Sequence, residues 1–237
     1  MALFGATMFL GAFLLFQVQL VIAKYILPWY GGVPTVWTTC MLFFQIVLLA
    51  GYAYAHVLAR RLQPFGQRLL HVALLLTALA LLTALVAPWG GPLLPSAAWK
   101  PGPEARPIVH IVLLLTAAVG LPYFVVATTS PLLQSWFAGR YPTTSPYRLY
   151  ALSNAGSLLA LLTYPALFEV WLPLKLQAWL WSMGFVAFSL GVVLCAFTTR
   201  RAAHVSGVTV QAPPTRPRRA SAALALSPLT RVPLFAS

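Results

Sequence analysis

GAFLLFQVQLVIAKYILPWYGGVPTVWTTCMLFFQIVLLAGYAYAH (residues 11–56) holds two long apolar runs around one short break and carries a single formal charge, Lys24. The break, PWYGGVP at 28–34, cannot continue a helix, because its two prolines lack the backbone N–H and its two glycines favour turns. A helix rises about 1.5 Å per residue, so about 20 apolar residues cross the roughly 30 Å of hydrocarbon in a bilayer. Both runs meet that length. The stretch reads as a hairpin of two membrane-spanning helices.

Four more segments of spanning length follow, at 69–88, 108–131, 147–169 and 174–199; with 6–27 and 35–58 they make six. Between them lie RRLQPFGQR (60–68), a loop at 89–107 with five prolines, AGRYPTTSP (138–146) and a short turn at 170–173. The expected fold is all-α, a polytopic bundle of about six transmembrane helices over residues 1–201. The first run has no basic segment before it and is longer than a signal-peptide core, so it is expected to be retained. From 202 to 237 the chain turns to Ala, Ser, Thr, Pro and Arg, including PPTRPRR at 213–219. Such a segment buries too little to offset its ordering entropy and is expected to be a disordered cytoplasmic tail.

Composition points the same way. Hydrophobic residues make up 60% and charged residues 7%, against about 25% charged in an average soluble domain. A soluble domain of this size cannot hide so much apolar surface. The net charge of +13 raises the question of nucleic acid, since clustered bases neutralise phosphates. Here the bases sit between apolar segments or in the tail, so they read as topology signals, and no nucleic-acid partner is expected. Two cysteines, Cys40 and Cys195, are too few and too far apart for a disulfide framework or a metal cluster.

Lys and Arg accumulate on the cytoplasmic side of membrane proteins. Eleven of the fifteen fall on one set of connections: Arg60, Arg61, Arg68, Arg140, Arg148 and six in the tail. The other set carries Lys24, Lys100, Arg106 and Lys175, together with both acids of the chain, Glu104 and Glu169. Both termini are therefore expected in the cytoplasm.

Polar side chains inside a bilayer are costly, and they mark either function or helix-to-helix hydrogen bonding. Gln17 and Lys24 lie seven residues apart on one face of the first helix, and Lys24 either snorkels to the headgroups or reaches a buried contact. Gln45, Tyr52 and His56 form a stripe down the second helix. Helix four carries Gly120, Pro122, Thr128, Thr129, Ser130 and Pro131, a pattern of either a kink or a broken helix around a transport site. On helix five, Ser153 with Ser157 and Gly156 with Ala160 are small residues four apart, the spacing of a close packing seam, with Asn154 beside them. The candidate binding residues are thus Gln17, Lys24, Gln45, Tyr52, Asn154 and Ser157, and the candidate packing residues Ser153, Gly156 and Ala160. His56 and His71 flank the loop at 60–68, but with no thiol or carboxylate near them they read as interfacial residues, and neither metal nor cofactor is expected.

The hairpin at 11–56, with GLPYFVVATTSPLLQSWF (120–137) and YALSNAGSLLALLTYP (150–165), resembles the membrane portion of bacterial fused major-facilitator/spermidine-synthase-like proteins, and the blocks occur in the same order. The resemblance covers residues 5–200 and implies a half-major-facilitator-like bundle in the bacterial inner membrane. Members of that family usually continue into an aminopropyltransferase-like domain with a glycine-rich nucleotide site. After Arg201 only 36 residues remain here, with one glycine, Gly207, and no acid, whereas such a site needs a strand, a Gly-rich turn and a carboxylate. No enzymatic activity is expected of this chain. What the resemblance leaves is a transporter-like module for a neutral or anionic solute, paired with a second copy, or a scaffold holding a cytoplasmic synthase-like partner, or a piece of a longer fused protein. A polycation is disfavoured as cargo, since both acids lie at the outer rim.

Reporter fusions before Met1 and after Ser237 should both report the cytoplasm, and one inserted in the loop at 89–107 the opposite compartment.

Overall fold

The computed structural model describes residues 1–102, 106–145 and 147–205. Six helices in it are long and apolar enough to cross a membrane: α1 (Ala2–Tyr30), α2 (Pro34–Arg61), α3 (Pro64–Trp89), α4 (Pro107–Arg140), α5 (Tyr147–Trp171) and α6 (Leu174–Thr198). Among the described residues there is no strand. The helix of α6 runs on to Val205; the rest of the stretch expected to form a tail, like Glu104, lies outside the described residues.

Proline starts three of the spans. Pro34, Pro64 and Pro107 each occupy the first helical turn, where a missing N–H breaks no hydrogen bond. Glycine ends others: Gly31 follows the final turn of α1 at φ 74° and Gly90 follows α3 at φ 71°, a left-handed conformation that costs glycine little. Beyond Gly90 the connection folds back onto the bundle, burying Leu93 and Leu94, and Tyr25 donates its hydroxyl to Pro95 O at 2.7 Å.

The fourth apolar stretch was expected to end at Pro131, but α4 continues to Arg140. Pro131 removes only one backbone hydrogen bond, and beyond it Leu132, Leu133, Trp136 and Phe137 stay buried. The packing of that apolar face outweighs the break. Two prolines do disturb their helices. Pro122 follows a π-helical turn at Thr116–Gly120, and Pro165 sits inside another at Tyr164–Phe168. Widening the helix there makes room for a ring that otherwise collides with the carbonyl four residues back. Both spans stay continuous.

α1 and α4 form the centre. α1 packs against α5, α6 and α4, and α4 against α2, α1 and α3. Small residues set the crossings. A Cβ added to Gly156 would run into the carbonyl oxygen of Phe9, with Phe9 C at 3.2 Å, so α5 lies backbone to backbone on α1. Beside it Ala160 is fully buried. On α6, Gly184 receives Leu14 and Gly191 receives Thr7, while Gly11 receives Phe188 in return. Gly51 meets Ala127 and Thr128 at the α2–α4 crossing. Lipid tails are as apolar as the side chains they would contact, so close van der Waals fit of this kind has to hold the helices together.

The outer faces are apolar as well. Ile46, Leu49, Leu76, Leu158, Leu162, Leu190 and Phe197 are all exposed; so large an apolar surface is a liability in water and the normal condition in lipid. The chain is a multi-pass membrane protein of six helices. Replacing Gly156 by Ala should destabilise the bundle by about 1–3 kcal/mol through overpacking against Phe9. Gly139→Ala, at a position with nothing within 4 Å of the added methyl, should not; reversible unfolding in mixed micelles compares the two.

Candidate functional site

A cavity of about 480 Å³ lies where α1, α2, α4 and α5 face one another, with Phe188 of α6 also on its wall. Its polar lining comes from four spans: Thr7 of α1, Tyr52 of α2, Thr129 and Ser130 of α4, and Ser153, Asn154 and Ser157 of α5. None of its lining residues is Asp, Glu, Lys, Arg or His. Tyr52 and Asn154 are exposed, so the cavity is open on the side that these two occupy. Several of its hydroxyls bond back to their own helices: Thr7 Oγ1 donates to Leu3 O at 2.8 Å and Ser157 Oγ to Ser153 O at 3.1 Å. Each such hydroxyl keeps acceptor capacity for a guest.

The cavity brings together Tyr52, Asn154 and Ser157 from the candidate binding residues, with Ser153 from the packing seam. It leaves out Gln17, Lys24 and Gln45. Gln17 is buried and donates from Nε2 to Thr163 Oγ1 at 3.5 Å, beside a smaller apolar hollow of about 250 Å³ shared with Gln177 and Trp181. Lys24 pairs with Glu169 at 2.9 Å, both groups partly exposed, and so ties the end of α1 to the end of α5 by a contact of at most about 1 kcal/mol. Gln45 is exposed on the outer surface of α2, because the packing of α2 on α4 turns Cys40, Phe43, Phe44, Gly51 and Ala55 inward instead.

The two histidines of the 60–68 region part company. His56 is exposed; His71, read from sequence as interfacial, is fully buried. Its Nε2 lies 2.8 Å from Thr129 Oγ1, a lining group of the cavity. Thr129 has one hydroxyl proton, and it goes to Val125 O at 2.6 Å. A neutral His71 must therefore donate from Nε2, which leaves Nδ1 as a buried acceptor with no hydrogen-bond partner. The ring also packs edgewise on Trp136 at 6.1 Å. Trp136 Nε1 in turn donates to Gln67 Oε1 at 3.2 Å, and Gln67 Nε2 to Leu62 O at 2.9 Å. A ladder of polar groups thus runs from the α2–α3 turn to the cavity wall. Sequence showed these residues only as isolated letters on two different helices. Their meeting depends on how α3 is rotated against α4.

Other contacts unseen in the sequence join helices rather than line the cavity. Gln19 Nε2 reaches Tyr123 Oη at 3.3 Å, Trp181 Nε1 donates to Leu14 O at 2.8 Å, and Tyr30 Oη meets His110 Nδ1. Among the described residues no three of His, Cys, Asp and Glu gather as a metal site would require. Comparison with family models, with curated proteins and with solved structures finds no match to this chain.

Interhelical hydrogen bonds inside membranes contribute about 0.6 kcal/mol on average. A double-mutant cycle of His71→Leu and Thr129→Val, followed by unfolding in mixed micelles, should return a coupling of about that size; additive losses would mean that the two side chains do not interact.

Proposed function

We propose that this chain is a transporter-like membrane module that admits a small, neutral, polar solute to the cavity between α1, α2, α4 and α5. One observation carries the reading: seven residues with hydroxyl, phenol or amide side chains, scattered through four spans, line a single space that no charged side chain lines. Polar groups facing a cavity in a membrane bundle mark substrate pathways. An anion would need a base or a cluster of N–H donors, and a cation an acid. The lining favours a solute that exchanges hydrogen bonds with hydroxyls and amides, and this narrows the expected neutral or anionic cargo to a neutral one.

In this reading Asn154 gives donor and acceptor together, and Ser157, Ser130 and Thr129 fix the orientation of the guest. His71 holds Thr129 in place from behind. The side open at Tyr52 and Asn154 is closed by a second six-helix bundle, which we take to be another copy of this chain or a partner related to it. We assign the chain to the fused major-facilitator/spermidine-synthase-like group on its three sequence blocks, as a module without catalytic activity. The Lys/Arg bias supports the inner membrane with both termini in the cytoplasm.

Uptake into proteoliposomes across a panel of neutral polar solutes tests this. Wild type should exceed protein-free vesicles for at least one solute, and Asn154→Leu should lower that uptake about tenfold or more. Thr83→Val, an exposed change on α3, should leave it unaltered. Wild-type uptake at the protein-free level for the whole panel would end the transport reading and leave a scaffold for a cytoplasmic partner.

A further inference from the structure

A second large hollow, about 490 Å³, lies at the opposite corner of α1, where the start of α1 meets the end of α4 and the start of α5. Its walls are apolar, built from Ala2, Ala6, Phe9, Phe137, Leu149 and Leu152, but its rim carries Arg148, Ser145 and Thr144. Next to it Phe137 packs on Tyr141 at 5.0 Å between ring centroids, and the Arg140 guanidinium lies over the Tyr141 ring at 5.4 Å. Arg140 Nε is buried with no hydrogen-bond partner. Ser145 Oγ accepts the N–H of Tyr147 at 3.3 Å, so its own proton remains to be donated.

Nothing acidic in the described protein neutralises this corner. The one acid among the described residues, Glu169, sits at the far end of α5, 21 positions from Arg148 and so about 30 Å away by helical rise. It is already paired with Lys24. The Arg148 side chain, a hydroxyl donor and the start of α5 therefore line the apolar groove, with Arg140 on the neighbouring Tyr141 ring, and no acid of the described residues lies among them. The groove takes a hydrocarbon chain and the rim takes negative charge.

We propose that this groove is a binding site for one anionic phospholipid, whose acyl chain lies along Ala6, Phe9 and Leu152 and whose phosphate is held by Arg148 with Arg140 beside it. Guanidinium groups suit a phosphate because they present paired N–H donors. A base near an anionic membrane surface contributes about 1 kcal/mol, close to fivefold in retention. The site is separate from the solute cavity and does not depend on transport.

Native mass spectrometry of the intact chain, released from nanodiscs of equal phosphatidylglycerol and phosphatidylcholine content, reads the preference directly. Wild type should retain one phosphatidylglycerol about fivefold over phosphatidylcholine. Arg148→Gln should bring the two near parity, Arg148→Lys should keep part of the preference, and Ala6→Phe, which fills the groove, should lower retention of both. Ala6 and Arg148 are exposed, so the variants should keep the wild-type melting temperature in detergent. Equal retention of the two lipids by wild type would overturn the site, as would an undiminished preference in Arg148→Gln. Competition by soluble glycerol phosphate as effective as that by the lipid would show that a headgroup alone is bound and would overturn the role of the groove.

Discussion

Inside hydrocarbon no water competes for backbone N–H and C=O groups, and each one left unpaired costs several kcal/mol. Every larger feature of this protein follows from keeping those groups paired within helices. Prolines are placed where the loss is smallest, at the first turns of α2, α3 and α4. Inside the spans, the prolines at 122 and 165 are each accompanied by a π-helical turn rather than a break. Threonine and serine hydroxyls return their protons to the preceding turn, as Thr129, Ser182 and Ser189 do. A helix that has satisfied itself in this way has little left to offer a neighbour except its shape.

Shape then decides the assembly. With lipid as apolar as leucine, close approach has to hold the helices together, and the glycines at 5, 11, 51, 156, 184 and 191 are where it occurs. α1 carries or receives most of these contacts, which is why it lies at the centre while α3 and α5 keep broad faces in lipid. The tight seam between Gly156 and Phe9 has a second effect. It orients α5 so that Ser153, Asn154 and Ser157, on the flank of the seam, look into the space beside it. Packing and cavity are two sides of the same helix rotation.

Charge is distributed by the same economy. The cavity between α1, α2, α4 and α5 holds none, the far rim holds the Lys24–Glu169 pair, and the end where the chain enters and leaves the bundle holds arginines without carboxylates. His71 is sealed in the protein with one nitrogen bonded and one bare. Its contact with Thr129 makes the cavity wall the one place where the solute reading and the buried polar ladder touch.

By itself the sequence determined the solvent, the number of spans and most of their ends, because length, apolar content and proline and glycine breaks are local properties that lipid reads directly. The residues 150–165 also carried the small-residue spacing of α5, and Asn154 stood out as an amide within a span. Which polar residues would meet was another matter. Gln17, Gln45 and Asn154 look alike in sequence, each an amide in an apolar run, yet one is buried against Thr163, one lies on the outer surface and one lines the cavity. His71 looked like a loop-flanking residue and became fully enclosed. In a soluble helix the apolar stripe announces the inner face. Here both faces are apolar, so helix rotation leaves almost no periodic trace, and only the fit of one span against the next decided it.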